Sequence, residues 1–246
     1  MPPLMPLPIL VLIPGTLCDQ RVFVRQVRAL RMHARIQCVS YRQFDWKGNW
    51  AAKLLQSLPE RFALAGFSLG GLVALELLRQ APERIERLAL IASNAEPAGD
   101  VAQKRNALSN RLWAAKGAPG VLRQSKPAFF HQPARRSQHA DLLLDMALQT
   151  SSRTAKGEFA WAALRPSAYG VLADFAGPVL IASGANDRLC PPALQQRMAI
   201  AQPSARWCEF SRCGHFVPLE APGKLCQAMQ HWLTDSFGKP GLKLNF

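Results

Sequence analysis

The sequence predicts an α/β fold, a mostly parallel, doubly wound sheet interrupted by a helical insertion. Three observations carry this. Short, mostly aliphatic runs alternate with helix-like segments, and most lack the polar alternation of a half-exposed strand, as parallel strands covered on both faces require. Residues 95–170 break the rhythm, with no convincing strand. The alternation then resumes at Pro178, and 246 residues suit one such domain with an insertion.

Taken in order, ILVLI (9–13), IQCVS (36–40), FALAGF (62–67), RLALIAS (87–93), PVLIASG (178–184) and ARWCEFS (205–211) read as strands. Residues 20–32, 49–57, 69–80, 192–201 and 218–234 show helical spacing between or after them. The insertion holds helical stretches at 101–115 and 139–150, with Pro119, Pro127, Pro133 and Pro166 between or after them. The expected organisation is a core over 1–94, a helical cap over 95–170, the rest of the core over 171–235 and a loose tail over 236–246.

Apolar residues make up 49% of the chain, too many for a disordered one. The opening MPPLMPLPILVLIPG has no Lys or Arg before its apolar run, and Pro3, Pro6 and Pro8 would break a signal helix. A cytoplasmic protein with no membrane span is expected. The six cysteines form no Cys-x-x-Cys pair and no zinc pattern with the histidines, so free thiols and no bound metal are expected. The formal charge of +14 bears on association rather than on fold.

Gly66-Phe67-Ser68-Leu69-Gly70 places one hydroxyl between glycines. Five-residue matches arise by chance; here the context gives meaning, because a strand precedes the motif and a helix follows it. A tight strand–turn–helix elbow puts Ser68 at the carboxyl edge of the sheet, where open α/β sheets bind ligands. A serine nucleophile needs a base and a group to orient that base, in the chain order Ser, acid, His. Asp187 follows the strand PVLIASG, and His215 follows the strand ARWCEFS. Each also has a plainer reading, Asp187 as an Asx-turn residue and His215 as a loop histidine. His33, His131, His139 and His231 lie in helix-like or cap segments with no strand before them. An oxyanion needs backbone donors. The amide of Leu69, at a helix start, is one candidate. The other is expected in the loop after the first strand, from Thr16 first and Leu17 second.

These pieces resemble the α/β-hydrolases with a helical cap over nearly the full chain: PGTLCD after the first strand, GFSLGG at the elbow, GANDRLCPP at the acid and GHFVPLEAP at the histidine. In the last, Glu220 and Pro222 begin the final helix. Within that superfamily the chain most resembles the pimeloyl-acyl-carrier-protein methyl ester esterases of biotin synthesis and related carboxylesterases. Two departures stand out. Pro14-Gly15 replaces a frequent His-Gly, and the first strand corresponds to the third of the usual eight, so a reduced sheet edge is expected. The resemblance implies a serine carboxylesterase with no cofactor. Ser68 excludes the aspartate-nucleophile dehalogenases and disfavours epoxide hydrolases. Thioesterases, lactonases and C–C bond hydrolases share the triad and stay open, as does a ligand-binding protein that kept the fold and lost catalysis.

From Lys104 to Arg136 there is no Asp or Glu. Arg111, Lys116, Arg123, Lys126, Arg135 and Arg136 form either a solvated basic face or a docking surface for an acidic acyl carrier protein, the partner the resemblance implies. No nucleic-acid recognition module is visible. Leu17, Phe67, Trp113, Phe129, Phe130, Trp161 and Phe216 are the expected apolar wall of an acyl site.

Overall fold

A computed structural model describes residues 7–40, 46–234 and 243–245. Seven parallel strands form one sheet in the order β2-β1-β3-β4-β5-β6-β7. They are β1 (Ile9–Ile13), β2 (Arg35–Cys38), β3 (Phe62–Phe67), β4 (Ile85–Ile91), β5 (Val179–Gly184), β6 (Arg206–Phe210) and β7 (Lys243–Asn245). Every residue of β3 and β5 is buried, which explains their unbroken apolar runs.

The two faces are read from the strand period of two. Val11 and Ile13 with Leu64, Leu88 and Ile181 meet α2 (Trp50–Gln56), α3 (Leu69–Gln80) and later helices through Leu54, Val73, Leu77 and Met198. Leu10 and Leu12 with Ala63, Ala65 and Leu180 face the other way. There Leu30 of α1 (Val24–Leu30) joins Leu225, Met229 and Trp232 of α11 (Pro222–Leu233). Asn49 caps α2 by accepting from the Ala52 amide at 3.3 Å.

Between β4 and β5 lie α4 (Asp100–Phe129), α5 (Pro133–Gln138), α6 (Ala140–Leu148), α7 (Ser152–Ala162) and α8 (Tyr169–Ala173). The α4 segment is two helices meeting at Gly117, whose φ of 58° suits glycine, with Pro119 just beyond. Trp113, Val121, Leu122, Ala155 and Phe159 form a separate apolar cluster inside this layer. The remaining helices are α9 (Pro192–Ala201) and α10 (Val217–Glu220).

The chain end departs from expectation. Within the segment expected to be a loose tail, Lys243–Asn245 pair in parallel with Trp207–Glu209 of β6 as the seventh strand. Lys243 adds an ion pair to Glu209 at 2.9 Å and sits 4.1 Å over the Trp207 ring. A three-residue strand carries too little periodic signal to be read from sequence.

Candidate active site

Because all strands run parallel, their carboxyl ends share one edge, and the loops leaving β1, β3, β5 and β6 converge there. Ser68 sits between β3 and α3 with φ 53° and ψ −115°, a conformation that costs a non-glycine residue about 1–3 kcal/mol. Backbone bonds hold it. Its amide donates to Ile91 O at 2.8 Å, and its carbonyl accepts from Ser93 Oγ at 2.9 Å.

The glycines make the elbow possible by close approach. A Cβ on Gly66 would lie 2.2 Å from Gly70 O, and one on Gly70 would lie 2.1 Å from Ile13 O. Both obstacles are backbone and cannot rotate away. Gly70→Ala is therefore expected to destabilise the protein by about 3 kcal/mol, read as a lowered midpoint in chemical denaturation.

Ser68 Oγ lies 2.8 Å from His215 Nε2, and His215 Nδ1 lies 2.8 Å from Asp187 Oδ2. His215 and Asp187 are both buried. The two readings of Asp187 turn out to be one structure. Its Oδ1 accepts from the amides of Leu189 and Cys190 at 2.8 and 2.9 Å, an Asx-type turn that leaves Oδ2 for the histidine.

The histidine loop is fastened to the cap by Glu220. Its carboxylate accepts from the amides of Gly214 (2.7 Å), Gln132 (2.9 Å) and His131 (3.3 Å). Phe129 O, at the end of α4, accepts from the His215 and Phe216 amides. Glu220 ends the short α10, and Pro222 opens α11. In the stretch GHFVPLEAP, Glu220 is thus a carboxylate clamp on the loop that carries His215.

The three candidate oxyanion donors differ in availability. Among the described residues, no acceptor takes the amide of Thr16 or Leu69. The Leu17 amide, second choice from the sequence, is committed to Glu158 Oε2 at 2.8 Å. Leu17 also adopts φ 55°, so this buried bond from α7 holds a strained residue. Burial pushes the Glu158 carboxyl up to about 8, outweighing the opposite pull of the Leu17 amide. Nothing in the local sequence marks Glu158, because its partner is 141 residues away.

A cavity of about 130 Å³ opens on Ser68 and His215, with Thr16, Leu17, Phe67, Leu69, Phe129 and Phe216 in its wall. Trp113, Phe130 and Trp161, expected there, lie elsewhere. Trp113 packs inside the cap and donates from Nε1 to Ser152 Oγ at 3.1 Å. Phe130 stacks on Phe216 and His139 behind the wall. Trp161 packs on Trp50 at 5.0 Å between ring centres. Trp113 thus serves packing within the cap, and Phe130 and Trp161 pack the cap onto the core, where large aromatics bury most area.

Of the expected docking cations, Arg111, Lys116 and Arg123 are exposed on α4, and Arg135 and Arg136 are half-buried on α5. The Lys126 side chain lies outside the described ones. Asp187, Cys190 and His215 have potential metal-binding atoms within 4.8 Å of one another. Asp187 and His215 already bond each other, and burial pushes the Cys190 thiol up to about 12.

The strand order, the strained elbow and the serine–histidine–aspartate chain define a hydrolase of the α/β type. The chain belongs to the alpha/beta hydrolase family, whose model matches residues 10–228. It is 33% identical over 190 residues to a pimeloyl-[acyl-carrier protein] methyl ester esterase from Aromatoleum aromaticum, covering 70% of this chain and 74% of that one. It is 26% identical over 209 residues to a 2-hydroxymuconate semialdehyde hydrolase from Pseudomonas putida, covering 80% and 70%. In fold it matches a malate-bound thermophilic esterase from Thermogutta terrifontis with a TM-score of 0.80 at 21% identity, over 94% of this chain and 90% of that one. Among the described residues, no helix is long and apolar enough to cross a membrane.

Proposed function

We propose that the protein is a serine carboxylesterase that cleaves the methyl ester of an acyl chain carried on an acyl carrier protein. The observation that carries the esterase reading is the unbroken Ser68–His215–Asp187 hydrogen-bond chain beside an apolar-walled cavity. The name of the Aromatoleum relative and the exposed cations of α4 support the carrier-bound substrate.

In this reading Ser68 Oγ attacks the ester carbonyl while His215 Nε2 takes its proton. The amides of Thr16 and Leu69 receive the oxyanion. His215 then protonates the departing methoxide, which leaves as methanol with the acyl group on Ser68. Water, deprotonated by His215, attacks that acyl carbonyl, and the carboxylic acid leaves as Ser68 recovers its proton. Asp187 holds the imidazole with Nε2 facing Ser68 and stabilises the imidazolium in both steps. Arg111, Lys116, Arg123, Lys126, Arg135 and Arg136 dock the acidic carrier.

The test is hydrolysis of one acyl methyl ester, free and attached to an acyl carrier protein, at low and high salt, with Ser68→Ala as the blank. The carrier-bound ester is expected to react at least about tenfold faster at low salt, with the advantage lost at high salt. Equal rates would make this a general small-ester carboxylesterase with a solvated cap. The similarity to the Pseudomonas hydrolase supports a second reading, C–C bond hydrolysis. Cleavage of a semialdehyde substrate with no ester turnover would favour it.

A further inference from the structure

The cavity has a charged side that the reaction above does not use. Besides its apolar residues, the wall holds Asn94, Arg105, Asn106, Ser109 and Arg165, with no Asp or Glu among its described residues. Arg165 is buried, with 8% of its surface exposed. Its Nε donates to Glu96 O at 3.1 Å, Nη1 to Ala162 O at 2.6 Å and Nη2 to Asn94 Oδ1 at 3.4 Å. A guanidinium carries five N–H groups, so two remain beyond these three bonds.

Among the described residues, no carboxylate lies within ion-pair distance of Arg165. The neighbouring Glu96 carboxylate is engaged by Arg197 and by the Tyr169 hydroxyl. A buried cation held only by neutral carbonyls is costly unless an anion compensates it. Burial does push the Arg165 guanidinium down from its ordinary range, though it stays charged at any ordinary pH. Arg105, exposed overall, contributes a second cation to the same wall and makes no side-chain hydrogen bond or ion pair among the described residues.

We infer that this wall is an anion subsite, in which Arg165 and Arg105, with the amides of Asn94 and Asn106 beside them, take a carboxylate or phosphate borne by the ester substrate. The inference rests on the esterase reading for the position of the ester at Ser68. The anion has two possible sources. It is either a free carboxylate at the far end of the acyl chain, as in a half-ester of a dicarboxylic acid, or the phosphate of a phosphopantetheine arm.

The experiment measures equilibrium binding to the Ser68→Ala protein, so the result does not depend on turnover. One pair of ligands is the monomethyl and dimethyl esters of the same dicarboxylic acid. The other is a methyl-ester acyl group on pantetheine with and without the 4′-phosphate. In at least one pair the anionic member is expected to bind about tenfold tighter or more, the scale of a charge-assisted hydrogen bond. Which pair shows it identifies the source. Adding Arg105→Gln or Arg165→Gln is expected to bring that ratio toward one. Arg165→Lys, which keeps the charge but not the planar fork, is expected to retain part of it. Thermal melts establish that each variant is folded. Equal binding in both pairs, or an anionic preference that survives both glutamine substitutions, overturns the subsite. Turnover of neutral methyl esters by the Ser68 enzyme separately decides the esterase reading.

Discussion

Asp187→Asn is expected to lower kcat by about 10⁴-fold while leaving the fold intact. The two carboxylate oxygens have separate duties. Oδ1 holds the turn through the Leu189 and Cys190 amides, and an asparagine oxygen accepts those same bonds. Oδ2 faces His215 Nδ1 at 2.8 Å. An asparagine puts an NH₂ group there, which needs Nδ1 as an acceptor. The ring proton then sits on Nε2, and Nε2 no longer takes the proton of Ser68. Ser68→Ala is expected to remove more, about 10⁶-fold. The double variant is expected to match Ser68→Ala alone, because the three groups act as a unit. Ester hydrolysis and thermal melts on the three proteins check this. A loss under tenfold in a folded Asp187→Asn protein would remove His215 from its role as general base.

The elbow and its partners were legible because each is local. Apolar residues 62–67, the glycines around Ser68 and the helical spacing after it report one strand–turn–helix, and Asp187 and His215 each follow a strand with a readable apolar run. Parallel strands then bring the three to one edge without further information. The cap was legible only as helices. Which face of each helix meets the cavity depends on the break at Gly117 and on long-range packing. Trp113 and Trp161 are therefore indistinguishable in sequence from Phe129, yet only Phe129 reaches the wall. Arg165 reads as one more basic residue until its burial is seen, and Glu158 reads as an ordinary acid in a helix. Both are polar groups whose partners lie across the fold, which no periodicity encodes.

Glu158 leads to the second large effect, one that depends on pH. Its carboxyl titrates near 8 in the folded protein against an ordinary 4.5, because burial disfavours the charged form. Between those values the folded state holds a proton that the unfolded chain has lost. Stability from this group is therefore complete below about pH 4.5, falls as pH rises and levels off above about 8. The gap corresponds to roughly 5 kcal/mol as an upper figure. Glu158→Gln keeps a neutral acceptor for the Leu17 amide and removes the titration. The substituted protein is expected to match the parent near pH 5 and to exceed it by several kcal/mol at pH 9 in chemical denaturation. His139, pushed down by burial and by Arg135, works in the opposite direction near neutral pH. It is common to both proteins and cancels in their difference. The buried thiols, held up by burial, lower stability only toward the top of this window and are likewise common to both proteins. Activity is expected to follow. An ionised Glu158 places negative charge against the loop whose Thr16 amide is proposed to receive the oxyanion, so kcat/KM is expected to fall above about pH 8 in the parent and to hold in Glu158→Gln. Parallel stability curves for the two proteins across pH 5–9 would mean that Glu158 is already charged in the fold. Its bond to Leu17 would then be an ordinary carboxylate–amide contact, with no proton held by the cap.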